Sequence, residues 1–158
     1  MPLIGVISDT HGLLRPEALD ALAGSDLLIH AGDVGGPEIL ERLEAIAPVR
    51  VVRGNTDHGA FGASLPRTDA VELAPGGPVA WVVHDSAGLA RAPGAAGFGG
   101  VVFGNAHRPS VQERNGVLWL NPGSAGPRRF ALPITVARIE LAEDGSLEPS
   151  IVRLEVRR

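Results

Sequence analysis

LIGVISDTHGLLRPEALDALAGSDLLIHAGD, Leu3 to Asp33, holds two short apolar runs with one helical pattern between them. LIGVIS and DLLIHA are strand-length and rich in Ile, Leu and Val, the composition of strands buried on both faces. RPEALDALAG places Pro16 near its start, apolar residues at helical spacing and Gly24 at its end, which predicts a helix. Strand, helix and strand in succession form a βαβ unit, and such a unit requires its strands to lie parallel.

Downstream the same grammar continues. GPEILERLEAIAP repeats the helical arrangement, with Gly36 and Pro37 ahead of it and Pro48 behind. VRVVRG, VAWVVH, GVVFGN, GVLWLN, ITVARIEL and SIVRLEV read as further strands. The turn EDGS, Glu143 to Ser146, joins the last two and makes them an antiparallel addition. Ser86 to Gly99 is Gly-rich, is broken by Pro93, and reads as a weak helix or a loop. No repeat or linker divides the chain, so residues 1–158 are expected to form a single domain, of α/β class.

Composition excludes several chemistries. There is no Cys, which removes disulfides, thiolate metal sites and cysteine nucleophiles. Every basic residue is Arg, so no lysine-based mechanism is available. Net charge is −4 without a basic run, which argues against dedicated nucleic-acid binding. No apolar stretch reaches membrane-spanning length and the chain opens without a targeting pattern, so a cytoplasmic protein with no membrane partner is expected.

The residues that end each run are more informative than the runs. Asp9-Thr10-His11-Gly12 follows the first, Gly32-Asp33 the second and Gly54-Asn55-Thr56-Asp57 the third. His84-Asp85, Gly104-Asn105-Ala106-His107 and Asn121-Pro122-Gly123-Ser124 follow the next three. In an open α/β sheet the C-terminal strand ends form the ligand crevice. Any one of these groups alone reads as a turn or a helix N-cap. Turns, however, do not require Asp, His and Asn at all six ends. Oxygen and imidazole donors without thiols suit Mn²⁺, Fe²⁺, Zn²⁺ and similar ions. Two such ions could share Asp33, hold a hydroxide and clamp a phosphate ester. The neighbouring glycines are expected to let substrate approach the backbone.

This ordered set resembles the calcineurin-like metallophosphoesterases, and among them the small single-domain phosphodiesterase branch. The family pattern is D-x-H, G-D, G-N-x-[DE], H, G-H-x-H and N-P-G-S, matched in order between residues 3 and 130. The resemblance implies a four-layer sandwich of two mixed β-sheets flanked by helices. It implies two divalent ions, Mn²⁺ first, with Fe, Zn, Ni or Mg as alternatives. Asp9, His11 and His107 would bind the first ion, Asp33 would bridge, and Asn55 and His84 would bind the second. Asn55 would also face the substrate phosphate, and Asp33 and Asn55 would carry the chemistry. The implied reaction is hydrolysis of a small phosphate ester, a phosphodiester above all, by in-line attack of a hydroxide held at the dinuclear site. A homo-oligomer stays open.

The chain departs from the pattern at one ligand position. Asn105 stands where the family has the first His of G-H-x-H, and an amide oxygen is a weaker donor than imidazole for a Zn-like ion. The second ion is therefore expected to bind more weakly or to be Mn²⁺ or Mg²⁺, and Asp85 is either a compensating ligand or a turn residue. Thr56 replaces the His that assists the leaving group in larger members, which favours substrates with good leaving groups. His58 reads as a surface residue and His30 as a buried, hydrogen-bonded one. Arg128, followed by Arg129, is a candidate bidentate partner for the substrate phosphate. The competing reading is a catalytically weak protein of the same fold, serving as an interaction scaffold or a phosphate- or nucleotide-binding module.

Overall fold

The computed structural model describes residues 2–88, 97–129 and 131–156. Its strands are β1 (Leu3–Ile7), β2 (Leu27–His30), β3 (Val49–Val51), β4 (Thr68–Glu72) and β5 (Val79–Val83), then β6 (Gly100–Val102), β7 (Ser110–Arg114), β8 (Val117–Asn121), β9 (Thr135–Leu141) and β10 (Leu147–Arg153). They form two five-stranded mixed sheets, ordered β10-β9-β1-β2-β3 and β4-β5-β6-β8-β7. β1, β2 and β3 are parallel, as the βαβ pattern requires, and β9 and β10 join antiparallel. The second sheet has its own parallel trio, β5, β6 and β8, with β4 and β7 antiparallel at its edges.

Alternation along β1 shows how the layers assemble. Ile4 and Val6 turn to one face and join Val82, Val102 and Leu120 of the other sheet in a shared core. Ile7 turns to the opposite face and meets α1 (Pro16–Leu22) and α2 (Pro37–Glu44) through Ala18, Leu22, Ile39 and Leu43. Both helices begin with Pro in the first turn, where its missing N–H costs nothing. A third helix, α3 (Gly59–Ser64), follows the β3 loop. Ser86–Gly88 forms a 3₁₀ turn; residues 89–96 of the segment read as weak helix or loop lie outside the described residues.

Three elements were not visible in the sequence pattern. β4 buries only Val71, and β7 is exposed for four of its five residues, so neither edge strand writes an apolar run. α3 is a single short helix of GAFGAS, with no apolar periodicity to announce it. For β7 a signal did exist: Arg114 pairs with Val117 across Asn115-Gly116, both at positive φ, a two-residue hairpin turn. β10 also begins three residues before the expected SIVRLEV, directly after the turn at Gly145.

Candidate metal centre

Parallel trios in both sheets bring six strand ends to one edge. Five of the candidate ligands there hold left-handed backbone: Asp9 (φ 55°), His11 (46°), Asp33 (58°), Asn105 (72°) and His107 (59°). Such conformations cost a non-glycine residue about 1–3 kcal/mol each, and they cluster where surrounding structure and function hold them. Here the cost falls almost entirely on one constellation; among the described residues only Asn115, in its hairpin turn, joins them.

Asp9 stands at its centre, fully buried. Its Oδ2 accepts hydrogen bonds from Ser8 Oγ (2.7 Å) and the Asn105 backbone N–H (3.2 Å). Its Oδ1 has no hydrogen-bond partner, and three imidazole nitrogens surround it: His107 Nε2 at 3.4 Å, His11 Nε2 at 3.8 Å and His84 Nε2 at 3.9 Å. A buried, orphaned carboxylate oxygen is costly unless a cation completes it. His11 and His107 stack with their Nε2 atoms 3.3 Å apart. Asp9, His11 and His107 therefore form one compact donor set, and Asp9, Asp33 and His84 form another that shares Asp9. This donor chemistry suits divalent ions.

Asp33 links the halves. Its Oδ2 lies 3.2 Å from His84 Nε2 and 3.7 Å from His11 Nε2, while its Oδ1 accepts the Thr56 N–H at 2.9 Å. His84 Nδ1 sits 2.8 Å from the Ala31 carbonyl, which can only accept, so Nδ1 carries the proton and Nε2 faces the site. Asn55 Oδ1 lies 3.1 Å from that Nε2. With its oxygen inward Asn55 completes a ring of acceptors suited to a cation; with its amide turned, it donates to His84 and both Asp33 oxygens instead.

Burial pushes His84's pKa down, but the Asp33 carboxylate and the Ala31 carbonyl outweigh it and raise it to about 9. Burial pushes Asp33 up, yet the bonds from His84 and the Thr56 N–H hold it well below the usual carboxylate range. Asp9 is raised by burial, and His107 is lowered by burial, with the Arg129 charge adding to the effect against the pull of Asp9. The His84 contribution to metal-free stability is complete below pH 6.5 and is lost as pH rises through about 9. The Asp33 contribution is complete above pH 3.8 and is lost only in strong acid. If His84 is a ligand, a metal entering this half would displace the proton from its Nε2, so its affinity should rise about tenfold per pH unit up to about pH 9. Melting curves of metal-free and Mn²⁺-loaded protein at pH 7, 8 and 9 should show a widening gap. A constant or shrinking gap would contradict the assignment.

A second tier of residues holds these ligands. Thr10 Oγ1 donates to the Val34 carbonyl (2.7 Å) and lies 3.0 Å from His30 Nε2, while His30 Nδ1 accepts the Gly32 N–H (3.1 Å). Burial lowers the His30 pKa to about 3, so the ring is neutral and donates from Nε2. His30 is thus the buried, hydrogen-bonded residue expected. Asn121 donates to the Gly104 carbonyl, and Ser124 Oγ donates to the Asp9 carbonyl, so the N-P-G-S turn braces two ligand loops. Asp57, 3% exposed, accepts backbone N–H groups from Asp33 (3.1 Å), Val34 (3.0 Å), Gly35 (3.2 Å) and Gly54 (2.9 Å). Its place in G-N-x-[DE] marked it, but its bracing role was not legible.

Gly54 and Gly104 have a packing role inside the site. A Cβ on Gly54 would strike Asp33, and one on Gly104 would strike Ser8 Oγ and lie 2.8 Å from Asp9 Oδ2. Both leave room for the carboxyl-bearing loops of the candidate ligands. The Asn105 side chain is exposed, and its contact to the site is the backbone N–H on Asp9. Asp85 accepts the Ala87 N–H at 2.9 Å, the turn role of its two readings. His58 is exposed at the N-cap of α3, and Arg128 is exposed on the loop after Gly126.

Residues 3–144 match the model of the calcineurin-like phosphoesterase superfamily domain. A "Probable metallophosphoesterase" of Methanothermobacter thermautotrophicus is 37% identical over 149 residues, covering 87% of this chain and 86% of that protein. A conserved uncharacterized protein of Streptococcus pneumoniae, described as a predicted phosphoesterase, has the same fold with a TM-score of 0.75 and 27% identity. That likeness covers 99% of this chain and 92% of the other. A structure described as a novel archaeal phosphodiesterase superimposes with a TM-score of 0.75 at 20% identity, over 95% of this chain and 99% of its own, a likeness of fold alone.

Proposed function

The chain belongs to the calcineurin-like phosphoesterase superfamily, and from that membership of metal-dependent phosphoesterases we propose that it is a phosphodiesterase with a dinuclear centre. Asp9, His11 and His107 would hold one ion, and His84 and Asn55 the other, with Asp33 between them and Asn105 at the rim of the second. The observation that carries this reading is the orphaned Asp9 Oδ1, ringed by three imidazole nitrogens and flanked by a second carboxylate that reaches two of them. Two bound ions would act as Lewis acids on water and on the phosphate oxygens.

The chain's own residues supply orientation. Asn55, exposed at the mouth, offers its amide to a phosphate oxygen, and Asp33, held by the Thr56 N–H, fixes the spacing of the two halves. Thr56 itself supplies no general acid for the leaving group. Diesters with good leaving groups should therefore turn over faster than alkyl esters by about 10²-fold or more. Mn²⁺ titration of metal-stripped protein against bis(p-nitrophenyl) phosphate tests the whole reading. Activity should appear in two phases, and Asn105→His should tighten the weaker phase. Absence of metal-dependent hydrolysis would sink the phosphodiesterase and leave the binding scaffold.

A further inference from the structure

Charge around the site edge is uneven. Asp9, Asp33 and Asp57 are committed to the centre and its backbone, and Asp85 to its turn. Arginines gather on the loops beside the His11–His107 half. Arg108 follows His107 directly, and Arg128 and Arg129 lie two and three residues past Gly126. Gly126 packs against the Asp9–Thr10 backbone so closely that a Cβ there would clash with both carbonyl oxygens. Arg15 Nη2 donates to the Gly126 carbonyl at 3.3 Å and ties this loop to the start of α1. Arg108, Arg128 and Arg129 are exposed. Among the described residues their side chains make no hydrogen bond or ion pair, and Arg50–Asp69 is the one arginine–carboxylate pair.

The Arg129 charge reaches His107, and Arg108 adjoins it in the chain; these guanidiniums exceed what a monoanionic diester needs, since two ions and Asn55 would meet its single charge. Guanidinium forks match phosphate oxygens geometrically. In a chain of net charge −4 such a patch is local and selective, and three arginines are too few for a nucleic-acid track. We propose that Arg108, Arg128 and Arg129 form a subsite for a second phosphate, so that the preferred substrate is a small phosphodiester bearing a further phosphate group. This rests on the phosphodiesterase reading.

The test compares two chromogenic substrates with Mn²⁺-loaded protein: the p-nitrophenyl ester of thymidine 5′-phosphate, and the same ester carrying a 3′-phosphate. Wild type should prefer the second by about 10- to 100-fold in kcat/KM, mainly through KM. That preference should fall with added salt and shrink toward unity in Arg108→Ala and Arg129→Ala. Equal use of both substrates would overturn the subsite and leave the phosphodiesterase standing. Hydrolysis of neither would overturn both. A preference that grows with thymidylate chain length would overturn the small-molecule substrate in favour of a strand.

Discussion

Replacing Asp33 by asparagine should lower Mn²⁺-dependent diester hydrolysis by at least about 10³-fold while leaving the protein folded. The carboxylate has two engaged oxygens. Oδ1 accepts the Thr56 N–H at 2.9 Å, and Oδ2 faces His84 Nε2 at 3.2 Å and His11 Nε2 at 3.7 Å. An asparagine that keeps its oxygen on Thr56 must place its NH₂ at the Oδ2 position. That puts a donor where both halves of the centre require an acceptor. Lewis-acid stabilisation of the transition state is worth several kcal/mol, and about 4 kcal/mol corresponds to a thousandfold in rate. The same substitution removes the strongest force raising the His84 pKa, so the imidazole titration of the metal-free variant, followed by NMR, should drop from about 9 toward or below 6.5. That readout is independent of turnover. A variant with wild-type hydrolysis, or with an unmoved His84 titration, would show that Asp33 does not join the two halves.

Much of this site was written in the sequence because of how parallel strands are built. Buried or half-buried on both faces, β1, β2, β5, β6 and β8 read as apolar runs, and the first polar residues after them mark the strand ends. β4 and β7 escaped because edge strands need no apolar face, although Asn115-Gly116 announced the second. The proposed ligands follow from order and residue type. What could not be read was which contacts a residue makes across the fold: Asp57 meets backbone groups 22 to 24 positions away, and the glycines meet carboxylates on other loops. Asn105 shows the same division. Its place in the pattern marks a departure, whereas its observed bond is a backbone N–H on Asp9, which does not depend on the side chain.

That backbone dependence makes Asp57 a more vulnerable position than its distance from the chemistry suggests. Asp57→Ala should lower stability by about 3–5 kcal/mol and weaken metal binding at the same time, although Asp57 is not itself a ligand. Four N–H groups lose their acceptor, and each unsatisfied buried donor costs about 1–3 kcal/mol, partly relieved where water can enter. At this chain length a loss of that size should lower Tm by about 10 °C. Two of the donors belong to Asp33 and Gly54, the flanks of the second half-site, so the loops bearing Asp33 and Asn55 lose their common anchor. Metal affinity should fall about 10- to 100-fold, as it does when groups that orient ligands are removed. Asp57→Glu, which keeps the charge but lengthens the arm, should recover part of the stability and less of the affinity. Calorimetry with and without Mn²⁺ separates the two effects. A variant that loses stability yet binds Mn²⁺ as tightly as wild type would confine Asp57 to the fold and remove it from the construction of the site.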